Sequence, residues 1–222
     1  MQTYFDFLQA YAPRLIDGTI VTVMQAGLGT LIAILIALMM GFMKMSSLWP
    51  VRWVATVYIE IFRGTSLLVQ LYWIFFVLPL FGVTLEKFTA GFIAVGLNLG
   101  AYGAELVRGG VQSVPREQYE AAIALNMSPV KRMQRIIFPQ ALLNMLPPWG
   151  NLLIELLKAT ALVALIAVAD LMFESKQINS ATLLSAQSFG SALIIYYIIA
   201  RFIITPGMRG LENRLGRKLS IG

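Results

Sequence analysis

Residues 113–148 read SVPREQYEAAIALNMSPVKRMQRIIFPQALLNMLPP, the longest water-compatible stretch in the chain. Its reading decides the fold, because apolar runs flank it on both sides. A run of about 20 apolar residues spans a hydrocarbon core of about 30 Å. This stretch cannot lie inside such a core, so it is a loop between spans. Composition agrees: of 222 residues, 58% are hydrophobic and 13% charged. A soluble domain carries about a quarter charged residues. The mean hydropathy is +0.75. A soluble helical bundle would need polar helix faces that these runs lack. The chain reads as all-α, a polytopic membrane protein in one transmembrane domain.

Outward from the loop, five spans are predicted at about 19–43, 53–80, 88–106, 149–169 and 188–205. Residues 1–18 form a short extra-membrane lead-in with no basic residue before Arg14, unlike a cleaved secretory signal. The second apolar segment is interrupted by Glu60, Arg63, Gly64, Thr65 and Ser66. Asp170–Gln187 reads as a polar loop and Pro206–Gly222 as a basic tail.

The chain has no cysteine and no histidine. Disulfides, Cys/His metal sites and Ser-His triads are thereby excluded. The net charge of +6 suggests nucleic acid at first sight, but the charges sit in membrane-flanking loops. Their distribution orients the chain. Lys44, Arg52, Arg108, Arg116, Lys131, Arg132, Arg135, Arg209, Arg214, Arg217 and Lys218 fall on one side; Arg14, Lys87 and Lys176 fall on the other. Arg63, Lys158 and Arg201 lie too near membrane level to count. By the positive-inside rule the 113–148 loop and the C-terminus are cytoplasmic and the N-terminus is outside.

Two short helices are predicted in the loop. Pro115 suits a first helical position, and that helix reaches about Leu125. Asn126 tolerates the left-handed conformation of a helix end. Ser128-Pro129 is an N-cap and first position for a second helix, which carries Lys131, Arg132 and Arg135 and ends near Pro139. Two roles fit: a basic helix lying on anionic lipid, or a docking handle. The first helix favours docking. It offers Ala121, Ala122 and Ala124 beside Glu120, with no bulky apolar stripe to sink into lipid.

The segment EAAIALNMSPVKRMQRIIFPQAL resembles the EAA motif of ABC-transporter permeases. Glu120, Ala121 and Ala122 match; Asn126 stands where the family has Gly; Ile136-Ile137-Phe138-Pro139 matches the ending with Phe for Leu. FRGTSLLVQ (Phe62–Gln70), LNLGAYGAELVRGGVQSVP (Leu97–Pro115) and LLKATALV (Leu156–Val163) are similar, in order, to stretches of the polar amino-acid uptake subfamily. Within it the chain most resembles ectoine and hydroxyectoine permeases.

The resemblance implies a type I ABC importer permease fold, multi-pass in the bacterial inner membrane, working by alternating access. It implies a cytoplasmic ABC ATPase dimer that grips the motif helix through Glu120, Ala121, Ala122, Asn126 and Pro139. It implies a second permease chain, identical or related, and a periplasmic or extracellular solute-binding protein, with lipid around the spans and no nucleic acid. The chain has no Gly-Lys pair and so no Walker A cradle; no cofactor is its own, and ATP belongs to the partner.

Polar residues at membrane depth are the candidate pathway. They are Arg63, Gln70, Asn98, Tyr102, Glu105, Asn151 and Glu155. Glu60 and Arg63 are three apart and can pair on one helix face. Gly64-Thr65-Ser66 offer a break that frees backbone groups. Asn98, Tyr102 and Glu105 share a stripe, as do Asn151, Glu155 and Lys158. Each set also fits a structural role: Glu105–Arg108 and Glu155–Lys158 as intrahelical pairs, Gln70, Asn98 and Asn151 as interhelical hydrogen bonds. Two other classes of function compete. A membrane-embedded enzyme lacks a clustered constellation here, and a membrane channel or scaffold without ATP coupling would not need a docking handle.

Overall fold

The computed structural model describes residues 4–219. The first three residues of the lead-in, the last three of the tail, and the side chains of Lys218 and Leu219 lie outside the described residues. Among the described residues all regular structure is helical.

α1 (Tyr4–Lys44) has 41 residues and absorbs the lead-in as helix, Pro13 included. At 1.5 Å per residue it is about 62 Å long, twice the ~30 Å of hydrocarbon. Part of it therefore extends beyond the hydrocarbon core. The core helix is α4 (Lys87–Gln112). In it 67% of the most apolar window is buried, against 28%, 39% and 22% in the other long apolar helices. Small residues set this pairing. A Cβ on Gly96 would stand 2.7 Å from Ile32 Cβ, and one on Gly100 2.8 Å from Ile36 Cβ. In lipid, where apolar transfer contributes little between helices, such close backbone approach is what holds them.

The second apolar segment is two helices, α2 (Trp49–Gly64) and α3 (Leu67–Tyr72). A π-turn (Trp73–Val77) and a 3-10 turn (Leu78–Phe81) extend α3. The halves meet at 106°, so this segment is a broken span. Thr65 and Ser66 are extended, as expected of the interruption at 64–66.

After α4 comes α5 (Arg116–Ala124), then α6 (Pro129–Arg132). The helix does not end near Pro139. A π-turn (Met133–Ile137), α7 (Phe138–Ala159) and a 3-10 turn (Thr160–Ile166) carry it on as one rod from Pro129 to Ile166. The supposed polar loop holds α8 (Leu171–Thr182), packed on the first turns of α1 through Phe7, Leu15, Leu171 and Ile178. The supposed tail is helical too. α9 (Ser185–Ile198), a π-turn (Ile199–Ile204) and α10 (Thr205–Leu219) are continuous.

These continuations share one cause. Pro79, Pro139 and Pro206 each stand two residues past a π-turn. A proline has no N–H for the carbonyl four residues back, and its ring collides with that carbonyl. A wider turn moves the carbonyl aside, so the helix survives a residue that sequence rules read as a stop.

Candidate functional site

α5 is pinned at the loop end of the bundle. The Tyr119 hydroxyl donates to the Val111 carbonyl at 3.1 Å, and Gln140 Nε2 donates to Gln118 Oε1 at 3.2 Å. Asn144 Nδ2 donates to Ser113 Oγ at 2.9 Å. Burial raises the Tyr119 hydroxyl above its ordinary pKa, partly offset by the positive charge of Arg132. It therefore stays a protonated donor near neutrality.

The helix ends as Asn126 suggests. Its φ is 54°; Asn126 N donates to Ile123 O at 2.8 Å and Met127 N to Ala122 O at 3.1 Å. This is a Schellman closure around a left-handed residue. Pro115 caps the helix rather than opening it. Ser128 Oγ accepts from Lys131 N at 3.4 Å, capping α6 as expected.

The five motif residues differ in what they present. Glu120 is exposed and paired with Arg116 at 3.0 Å. Ala121 and Asn126 are exposed, and Pro139 is half-buried in the rod. Ala122 is 3% exposed and faces the protein's own core. The open face is instead apolar, with Ile123 56% and Leu125 75% exposed. The absence of a bulky apolar stripe, read from the alanines, is thus corrected: two large aliphatic side chains stand beside them.

The second cluster lies at the break. Arg63 and Glu60 do not pair; the Arg63 guanidinium carbon sits 5.3 Å from the Tyr102 ring centroid. Among the described residues Glu60 has no ion-pair partner within 4 Å. Both residues lie within α2, in register to pair, but the exposed guanidinium lies on the Tyr102 aromatic face instead. Gln70 and Asn98 meet here. Asn98 Nδ2 donates to Gln70 Oε1 at 3.0 Å and to Phe62 O at 2.9 Å.

Glu105 belongs to neither cluster. It pairs with Arg108 at 2.8 Å, as expected, and also with Lys44 at the end of α1 at 2.5 Å. The Lys44 partner is not legible in the sequence, because the two are brought together only by the α1–α4 crossing. Glu155 and Lys158 do not pair; both are exposed. Lys158 lines a groove of about 720 Å³ between α7 and α9 with Arg201, Tyr196 and Tyr197. Asn151, also exposed, lines a smaller cavity of about 270 Å³ with Arg209 and Glu212.

Two residues were missed. Tyr58 donates its hydroxyl to Leu97 O at 2.7 Å and ties α2 to α4. Asp170 is fully buried, caps α8 by accepting from Phe173 N at 2.9 Å, and accepts from the Tyr196 hydroxyl at 3.3 Å. An Asp directly before an apolar Leu-Met-Phe run is an N-cap signal that a polar-loop reading passes over.

The family model of the binding-protein-dependent transport system inner membrane component matches residues 29–217. The chain is 44% identical over 183 residues to a probable amino-acid ABC transporter permease of Sinorhizobium fredii, covering 80% of this chain and 76% of that one. It is 37% identical to the L-cystine transport system permease TcyB of Bacillus subtilis, covering 94% and 89%. It is 35% identical to the glutamine transport system permease GlnP of Escherichia coli, covering 97% and 99%. The crystal structure of an amino acid ABC transporter with histidines superposes with TM-score 0.88 at 38% identity, over 96% of this chain and 100% of that one. The inward-facing MetNI methionine ABC transporter shares the fold at TM-score 0.72, 15% identity and coverage of 97% and 99%. The narrower resemblance to ectoine permeases finds no support among these relatives. A helix-bearing loop between apolar helices, a broken span and these matches together decide it: this chain belongs to the family of binding-protein-dependent transport system inner membrane components.

Proposed function

We propose that this chain is the permease of an importer for a polar amino acid, driven by a partner ATPase dimer that grips α5. The observation that carries the reading is α5 itself: an exposed helix, fixed by Tyr119–Val111 and Gln118–Gln140 to the ends of α4 and the 129–166 rod. A displacement of α5 is passed to both spans, because none of these links is a flexible linker. With no phosphate cradle of its own, the chain draws energy only through that contact.

On this reading the loop end and α10 face the cytoplasm, while α8 and the first turns of α1 face a solute-binding protein outside. A second permease chain completes the pathway. The solute class follows from the relatives, whose names specify amino acids, and from two charges. The Arg63 guanidinium is exposed on Tyr102, has no carboxylate within 4 Å among the described residues, and suits a solute carboxylate. The Glu155 carboxylate is exposed, has no cation within 4 Å among the described residues, and suits an ammonium group. A zwitterion needs one of each.

Uptake by proteoliposomes holding the chain, its ATPase and its binding protein tests this, with L-glutamine, L-cystine, L-arginine, ectoine and hydroxyectoine as separate arms. ATP-dependent uptake of an amino acid is expected. Uptake of ectoine alone would place the chain with compatible-solute permeases, and flux without the ATPase would make it a channel.

A further inference from the structure

The geometry points to Gln70 and Asn98 as positioning residues that lock the broken span and set Arg63, with their N–H donors committed to the protein. A helix that stops among apolar neighbours leaves carbonyls with no N–H partner. At this break side chains supply the partners. Gln70 Nε2 lies 2.9 Å from Phe62 O, 3.3 Å from Thr65 O and 2.7 Å from Thr65 Oγ1. Thr65 Oγ1 donates in turn to Ile61 O at 2.7 Å. Asn98 Nδ2, on α4, donates to Phe62 O at 2.9 Å and to Gln70 Oε1 at 3.0 Å.

A primary amide has two N–H donors. Those of Asn98 are both spent, and those of Gln70 are shared among three acceptors. Asn98 is also 6% exposed. Neither amide keeps a donor for a passing solute. What they do is fix the carbonyl of Phe62, and the next residue is Arg63. Tyr102, which carries the Arg63 guanidinium, stands one turn beyond Asn98 on the same helix. The latch and the cation are thus in register along α4. The bearing on transport, through Arg63, rests on the amino-acid importer reading above.

The latch is tested without any solute. The chain has no cysteine, so Gly64→Cys takes a single nitroxide. A Cβ there meets nothing within 4 Å. The full-length chain is reconstituted with its ATPase, and spin-label mobility is read. Gln70→Leu and Asn98→Leu are each expected to raise the ratio of mobile to immobile label about tenfold, the change that loss of one net hydrogen bond brings. Thr65→Val removes the hydroxyl that accepts from Gln70 and donates to Ile61 O, but leaves the Gln70 and Asn98 bonds to Phe62 O, and is expected to raise it less. It also serves where the leucine variants fail to fold. Unchanged mobility in the folded variants overturns the latch, most plainly if amino-acid uptake is nonetheless altered, since the amides would then act on solute directly. A loosened label in a protein that transports none of the amino acids leaves the latch standing and removes the importer reading.

Discussion

Asp170 shows how much one side chain carries. Burial pushes its carboxyl from the usual 3.8 up to about 6, while the hydrogen bonds from the Phe173 and Met172 amides and the Tyr196 hydroxyl pull it back. The groups facing it from α1, α8 and α9 are Thr22, these two amides and Tyr196; no cation is among them. The folded state therefore holds its proton more tightly than the unfolded chain does. Stability from this residue is full below about pH 3.8 and is lost as pH rises through about 6, on the order of 3 kcal/mol in all. Melting temperature measured from pH 4 to 7 is expected to fall on this account. Asp170→Asn keeps the cap and cannot titrate, so this part of the slope should vanish; an unchanged slope would assign it elsewhere.

On the proposed reading coupling turns on α5, and its two faces call for different experiments. Ala122 points inward, so Ala122→Glu buries a charge and should reduce folded yield. It is therefore not a clean test of docking, although the motif spacing suggests one. Ile123 and Leu125 point outward. Ile123→Asp and Leu125→Asp are expected to leave folding intact and weaken ATPase binding about tenfold or more, as at a buried interface anchor. Titration of the purified ATPase onto the reconstituted chain measures this, and unaltered affinity in both variants would move the docking face off α5. The exposed Arg116–Glu120 pair adds under about 1 kcal/mol to the stability of α5 itself.

The whole bundle rests on the crossing of α1 and α4. Gly100 lies against Ile36 and has no room for a side chain, so Gly100→Val must part the helices. A cost of about 1–3 kcal/mol is expected from overpacking, read as a lower melting temperature in detergent. Gly27 on α1 meets nothing within 4 Å. There Gly27→Ala should be neutral or gain up to about 1 kcal/mol, because alanine favours helix. Equal effects at both sites would mean that the seam does not hold the bundle. Lys44–Glu105 fastens the loop end of the same crossing.

Composition, apolar run length and the polar stretch 113–148 were enough to determine a helical membrane protein with a helix-bearing loop between its spans, the break at 64–66 and the left-handed Asn126. These depend on local chemistry: transfer of apolar residues, backbone freedom at one position, and residues that oppose helix. Tertiary structure alone decided that Pro139 and Pro206 continue helices, that Ala122 faces inward, that Glu60 and Arg63 stay apart, and that Gln70 and Asn98 close the break. The closure by Gln70 and Asn98 depends on what a neighbouring helix places within about 3 Å, the reach of a hydrogen bond. Residue spacing along one helix carries no information on that distance.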